Sequence, residues 1–73
     1  MNRQTNIYNI VGSNIKKYRK AKGWTQKELS EKAMVSESLI AKLESVTYQT
    51  ISLDTLEFIA KILNKNIKDF FDE

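Results

Sequence analysis

The sequence predicts an all-α fold, and three observations carry that reading. Proline is absent and glycine occurs only twice in 73 residues, so little interrupts helices and the connections between them must be short. Apolar residues recur at helical spacing in several separate stretches. Three of these stretches open on a capping side chain preceded by an apolar residue, a helix-start signal. One domain is expected at this length, with a thin stability margin, because a small domain buries a smaller fraction of its surface than a large one. The composition, 41% hydrophobic and 29% charged, is that of a globular chain, so disorder of the whole is not expected.

Residues 1–9 are polar apart from Met1, Ile7 and Tyr8 and read as an N-terminal arm, with the domain proper over 10–73. From about Val11 to Lys22, the residues Val11, Ile15 and Tyr18 form one stripe of a first helix. Gly23 ends it as a residue able to take positive φ, which lets Trp24 turn inward. Thr25 caps a second helix, from Gln26 to about Lys32 or Ala33. Glu28 completes its T-x-x-E capping box, and Trp24 and Leu29 staple its start. Ser36 caps a third helix, from Glu37 to about Glu44 or Ser45, with Val35 and Ile40 as staple. Met34 occupies the turn where glycine would be easiest, so the turn either takes a left-handed residue or widens. Residues 45–50 read as a loop. Ser52 caps a fourth helix, stapled by Ile51 and Leu56, whose stripe Leu56, Ile59, Ala60 and Leu63 faces the core. Phe58 and Ile62 widen that apolar face toward a partner. Asn64 is the residue past its end, and Asn66 caps a final short turn, Ile67 to Phe71, that drops Phe70 or Phe71 onto the body.

Several function classes fall away at this level. Cysteine and histidine are absent, which removes disulfides, thiolate metal sites, the commonest general base and the commonest metal ligand. No enzyme, metal site or cofactor is expected. No apolar run approaches the roughly 20 residues of a membrane-spanning helix, and the polar start MNRQTN is unlike a signal peptide, so the expectation is a cytoplasmic protein with no membrane partner. Net charge is +3 but unevenly placed. Lys16, Lys17, Arg19, Lys20 and Lys22 put five positive charges in seven residues, whereas Asp54 to Glu73 carries five acids against three lysines. Such asymmetry points to a polyanion on one side and a different contact on the other, although a solvated helix face would look the same.

The second and third helices leave room for only a tight turn between them, which is helix-turn-helix spacing. Leu29, Ala33, Ile40 and Leu43 fall on inward faces, leaving Gln26, Glu37, Ser38, Ala41 and Lys42 outward. A short helix that presents small and polar groups outward fits a DNA major groove.

Thr25-Gln26-x-x-Leu29-Ser30, Val35-Ser36, Ile40-x-x-Leu43-Glu44 and Ser52-Leu53-x-Thr55-Leu56 with Ile59-Ala60 resemble the Cro and phage-repressor type helix-turn-helix domains, the Xre family, over about residues 10 to 71. The resemblance implies a compact five-helix, lambda-repressor-like domain that binds double-stranded operator DNA, usually as a dimer. It implies that Gln26 bonds a phosphate and that Glu37 and Ser38 face base edges. Lys42, one turn on, would reach a base or a phosphate. Thr25, Ser36 and Lys16 join the candidate DNA-contacting set, and Leu39 either touches DNA, at a thymine methyl or the sugar backbone, or packs. The family also pairs an arginine and a glutamate at the positions of Arg19 and Glu44, between helix one and the end of helix three. Two departures are the absent glycines: Met34 stands in the turn, and Ser45-Val46 follows the helix-three glutamate.

Two functions follow. One is a homodimeric, sequence-specific regulator of the small-repressor or restriction-modification controller type, acting on a palindromic operator, with Tyr48, Phe58, Ile62, Phe70 and Phe71 as candidates for the dimer surface. The other is a protein-interaction module, such as an antitoxin or adaptor, that keeps the fold without the DNA contacts. The length leaves no room for a ligand-sensing domain, so no small-molecule ligand is expected.

Overall fold

Four α-helices and one closing 3-10 turn make up the computed structural model, which describes residues 6–45 and 49–73. The helices are α1 (Ile7–Ala21), α2 (Gln26–Ala33), α3 (Glu37–Glu44) and α4 (Leu53–Ile62), and the 3-10 turn spans Ile67–Phe71. The expected five-helix count is therefore met with its last member wound as a single 3-10 segment. Among the described residues no helix is long and apolar enough to cross a membrane.

Helix α1 starts earlier than the apolar stripe suggested. Asn6 is its N-cap, with Oδ1 accepting from the Tyr8 N–H at 2.7 Å, so Ile7, Tyr8 and Asn9, expected in an arm, are helical. The N–H groups of Asn9 and Ile10 donate to the Asn6 carbonyl, so the first turn is closed before Val11. The rest of the expected arm, residues 1–5, lies outside the described residues.

The caps of the other helices follow the sequence. Thr25 Oγ1 accepts from Glu28 N–H at 3.0 Å, and Glu28 Oε1 accepts from Thr25 N–H at 2.8 Å, closing the box. Ser36 Oγ accepts from Leu39 N–H and Ser52 Oγ from Thr55 N–H. Asn66 N–H donates to Asp69 Oδ2 at 2.9 Å and starts the 3-10 turn.

Three helix ends share one motif, in which the last carbonyls accept from the N–H groups of a left-handed residue and of the residue after it. Gly23 (φ 75°), Met34 (φ 59°) and Asn64 (φ 59°) take that conformation. At Met34 the turn closes through Met34 N–H to Glu31 O and Val35 N–H to Ser30 O, so the turn between α2 and α3 is tight and not widened. Left-handed backbone costs a residue with a Cβ about 1 to 2 kcal/mol, and the Met34 side chain is 82% exposed, so little packing offsets the strain. Met34→Gly is accordingly expected to raise stability by about 1 kcal/mol, seen as a higher urea midpoint with an unchanged slope. A lower midpoint would mean that the side chain carries an interaction its exposure hides.

The core collects Val11 and Ile15 from α1, Leu29 and Ala33 from α2, Ile40 and Leu43 from α3, Leu56, Ile59 and Ala60 from α4, then Leu63 and Phe70. Phe70, expected as a dimer-surface candidate, is wholly buried. Its ring meets Tyr18 edge-on with centroids 5.2 Å apart. Asn14, buried in α1, holds this end of the chain by donating from Nδ2 to the carbonyls of Phe70 (3.0 Å) and Asp72 (2.7 Å).

Candidate nucleic-acid interface

The helix expected to face DNA is α3, and its position is set from behind. Its inward residues Ile40 and Leu43 are buried, while Glu37, Ser38 and Lys42 are exposed on the opposite side. Leu39 is half-buried and packs against the core, so of its two expected roles the structure displays the packing one. Ala41 is half-buried; with no polar atom on its side chain, it leaves Glu37, Ser38 and Lys42 as the polar groups of that face.

Two contacts fix where α3 sits against α1. Gly12 lets the helices approach so closely that a Cβ built on it would fall 1.6 Å from the Leu43 carbonyl oxygen. Further along the same side of α1, Arg19 reaches the end of α3 and grips Glu44 with both arms, Nε to Oε2 at 2.7 Å and Nη2 to Oε1 at 2.8 Å. The side chains are 8% and 2% exposed. Arg19 Nη1 also donates to the Trp24 carbonyl at 2.6 Å, which ties the pair to the entry of α2. The Glu44 hydrogen bond raises the Arg19 pKa above its usual value against the opposing effect of burial, so the guanidinium stays charged.

This network reaches the expected phosphate contact. Gln26, half-buried at the first position of α2, donates from Nε2 to Glu44 Oε1 at 3.1 Å. An amide nitrogen carries two N–H donors; Glu44 accepts from one, and the other has no partner among the described residues. Thr25 and Ser36 are both exposed, and each uses a hydroxyl lone pair for its cap, so each keeps its O–H to donate outward. Lys16 is exposed on α1.

Of the dimer-surface candidates, Phe58 is 43% and Phe71 39% exposed, Ile62 is half-buried and packs on the core, and Tyr48 lies outside the described residues. Phe70 is withdrawn from that set, because its buried ring has no surface to offer. Sequence reasoning also passed over Gly12 and the bond from Gln26 to Glu44. The one signal for Gly12 was a glycine inside an otherwise unbroken helical pattern, which often marks a close approach.

An exposed polar face on α3 and a capped, tightly turned pair of helices with an α1 clamp behind them make up the arrangement. The helix-turn-helix family model matches residues 15–70. The chain belongs to the helix-turn-helix family. Among curated relatives, the transcriptional regulator SinR of Bacillus subtilis (strain 168) is 34% identical over 64 residues, which is 88% of this chain and 58% of SinR. The chain thus spans little more than half the length of that relative. The N-terminal DNA-binding domain of SinR from Bacillus subtilis superposes with a TM-score of 0.81 at 34% identity, covering 89% of this chain and 94% of that one. SinR, described as a master regulator for biofilm formation, has also been solved in complex with DNA. That structure superposes with a TM-score of 0.79, 34% identical, over 85% of this chain and 98% of that one.

Proposed function

We propose that this domain is a sequence-specific regulator of transcription that binds double-stranded DNA through α3 and acts in the cytoplasm as a homodimer on a palindromic operator. The observation that carries the reading is the clamp. Arg19, Glu44 and Gln26 join α1, α3 and α2 through three side-chain hydrogen bonds, which orients a phosphate-binding amide and a base-reading helix as one rigid unit. The similarity to a DNA-bound SinR domain supports the same reading.

In this scheme Gln26 donates its remaining N–H to a phosphate, Thr25 and Ser36 donate their hydroxyls to flanking phosphates, and Lys16 adds charge. Glu37 accepts from a cytosine N4, Ser38 bonds a base edge, and Lys42 reaches a base or a phosphate. Glu37 also repels phosphates, so it favours discrimination over non-specific affinity. A second copy completes the site. Ile7, Leu53 and Phe71 are exposed around an apolar hollow of about 280 Å³ floored by Val11 and Leu56. That hollow and the exposed Phe58 on α4 are the surfaces offered to the second copy. Two recognition helices would then lie about 34 Å apart, one turn of duplex.

The test is selection of bound duplexes from a random pool by the purified protein at physiological salt. A recovered palindrome with half-sites one helical turn apart is the expected outcome, and absence of enrichment would sink the proposal. Glu37→Ala should relax base preference at one position of each half-site, by about 1 to 3 kcal/mol of lost discrimination; an unchanged preference would remove Glu37 from direct readout. Gln26→Ala should weaken all duplexes alike and reduce the salt dependence of binding. A changed preferred sequence would contradict its phosphate role.

A further inference from the structure

Phe71 takes its place on the molecule from a buried side chain of another element. The stripe of α1 that faces the end of the chain reads Ile7, Val11, Asn14 and Tyr18, four residues that share one side at helical period. Three of them are apolar or aromatic, and the polar one is buried. A buried amide in such a stripe is costly unless its hydrogen-bonding groups find partners. Asn14 Nδ2 carries two N–H donors and makes two bonds, to the carbonyls of Phe70 at 3.0 Å and Asp72 at 2.7 Å.

Those two carbonyls flank Phe71. The amide thus clasps the backbone on both sides of one residue, while the two phenylalanine rings go separate ways. Phe70 is wholly buried, and the exposed Phe71 stands in the wall of the apolar hollow with Ile7, Val11, Leu53 and Leu56. One turn along α1 from Asn14, Tyr18 donates its hydroxyl to the Asp69 carbonyl at 3.2 Å and meets the Phe70 ring. The chain up to Phe70 is therefore held by the core. Beyond it, Phe71, Asp72 and Glu73 are exposed, and the bond from Asn14 to the Asp72 carbonyl ties them back.

We propose that Asn14 is the positioning residue of this hollow: by clasping the chain on both sides of Phe71 it fixes that ring as a wall, and thereby sets the affinity of the hollow for a second copy. The inference rests on the homodimer reading. No residue lining the hollow carries a charge, so it suits a like apolar surface across a two-fold axis and not a phosphate chain. A ring already held in place has little freedom left to lose on association. That preorganisation is what the amide contributes.

Sedimentation equilibrium of the parent, Asn14→Leu, Phe71→Ala and the double variant tests this. Leucine keeps an apolar side chain of similar reach in the stripe but has no N–H to donate. The Asn14→Leu dimer should dissociate about tenfold more readily, the cost of ordering a freed ring and its backbone on association. In the Phe71→Ala background the same substitution should add nothing, because the residue through which the amide acts is gone. A second readout needs no dimer: backbone order parameters at Phe71 and Asp72, about 0.85 in the parent, should fall below about 0.6 in Asn14→Leu. Should that variant fail to fold, Asn14→Asp, of the same shape and without an N–H when ionised, carries both readouts. An unchanged dissociation constant would overturn the proposal. So would an equal loss with and without the Phe71 ring, which would make Asn14 a general support of the fold. A monomeric parent whose tail loosens in Asn14→Leu would overturn the homodimer reading and leave the clasp standing, whereas a tail that stays rigid in that variant overturns the clasp whatever the state of the parent.

Discussion

Gly12→Ala is expected to cost about 3 kcal/mol or more, enough to take a large share of the stability of a small domain. Two effects oppose each other here, and their magnitudes decide the sign. Alanine is the better helix former by about 1 kcal/mol, so helix propensity alone predicts a gain. Against it stands the added Cβ, 1.6 Å from the Leu43 carbonyl oxygen and 2.7 Å from its carbon. The obstacle is backbone within α3, not the end of a flexible side chain, so no rotamer change relieves it. The helices must separate by more than an ångström, and that movement loosens the packing of Val11 and Ile15 against Ile40 and Leu43 across the whole contact. Urea unfolding of the single variant checks this: a midpoint equal to or above the parent's would show that α1 and α3 do not approach as closely as described. The same separation moves the recognition helix, so any residual folded protein should also bind duplex DNA more weakly.

What could be read from the chain follows the range of the interactions involved. The starts of α2, α3 and α4 were legible because a cap and its staple lie within six residues of each other: Trp24-Thr25-Glu28-Leu29 states a helix start without reference to any other element. The start of α1 was not, since Asn6 has no apolar residue stapling it and the visible stripe begins only at Val11. Gly12 and Asn14 owe their roles to elements remote in sequence, α3 and the C-terminal turn, so nothing beside them announces those roles. The outward set Glu37, Ser38 and Lys42 came directly from helical period. Phe70 and Phe71 could not be told apart, because adjacent residues of a tight turn point in different directions and the choice of the buried one depends on where Tyr18 lies.

The Arg19 and Glu44 pair offers a way to separate stability from recognition. Arg19→Met should cost about 3 to 5 kcal/mol, because it leaves the Glu44 carboxylate buried with Gln26 as its remaining side-chain donor. Glu44→Leu should cost a comparable amount by stranding the guanidinium, which would keep only the Trp24 carbonyl among its present partners. The double variant removes both charges, and apolar side chains of similar bulk often replace a buried pair at little or no net loss. Its stability should therefore recover most of the way toward the parent, giving a large coupling energy in a double-mutant cycle. DNA affinity should not recover with it. Gln26 would still have lost the Glu44 oxygen that fixes its amide, so its second N–H would no longer be held toward a phosphate, and the freedom of that side chain would have to be lost on binding. The two readouts, urea midpoint and duplex affinity at fixed salt, should thus move together in each single variant and part company in the double. If affinity returned in step with stability, Glu44 would be only a strut between α1 and α3. If stability stayed low, the pair would be coupled to the fold through more than its own charges. A recovered fold with weakened, sequence-independent loss of binding assigns Glu44 a second task, that of aiming Gln26.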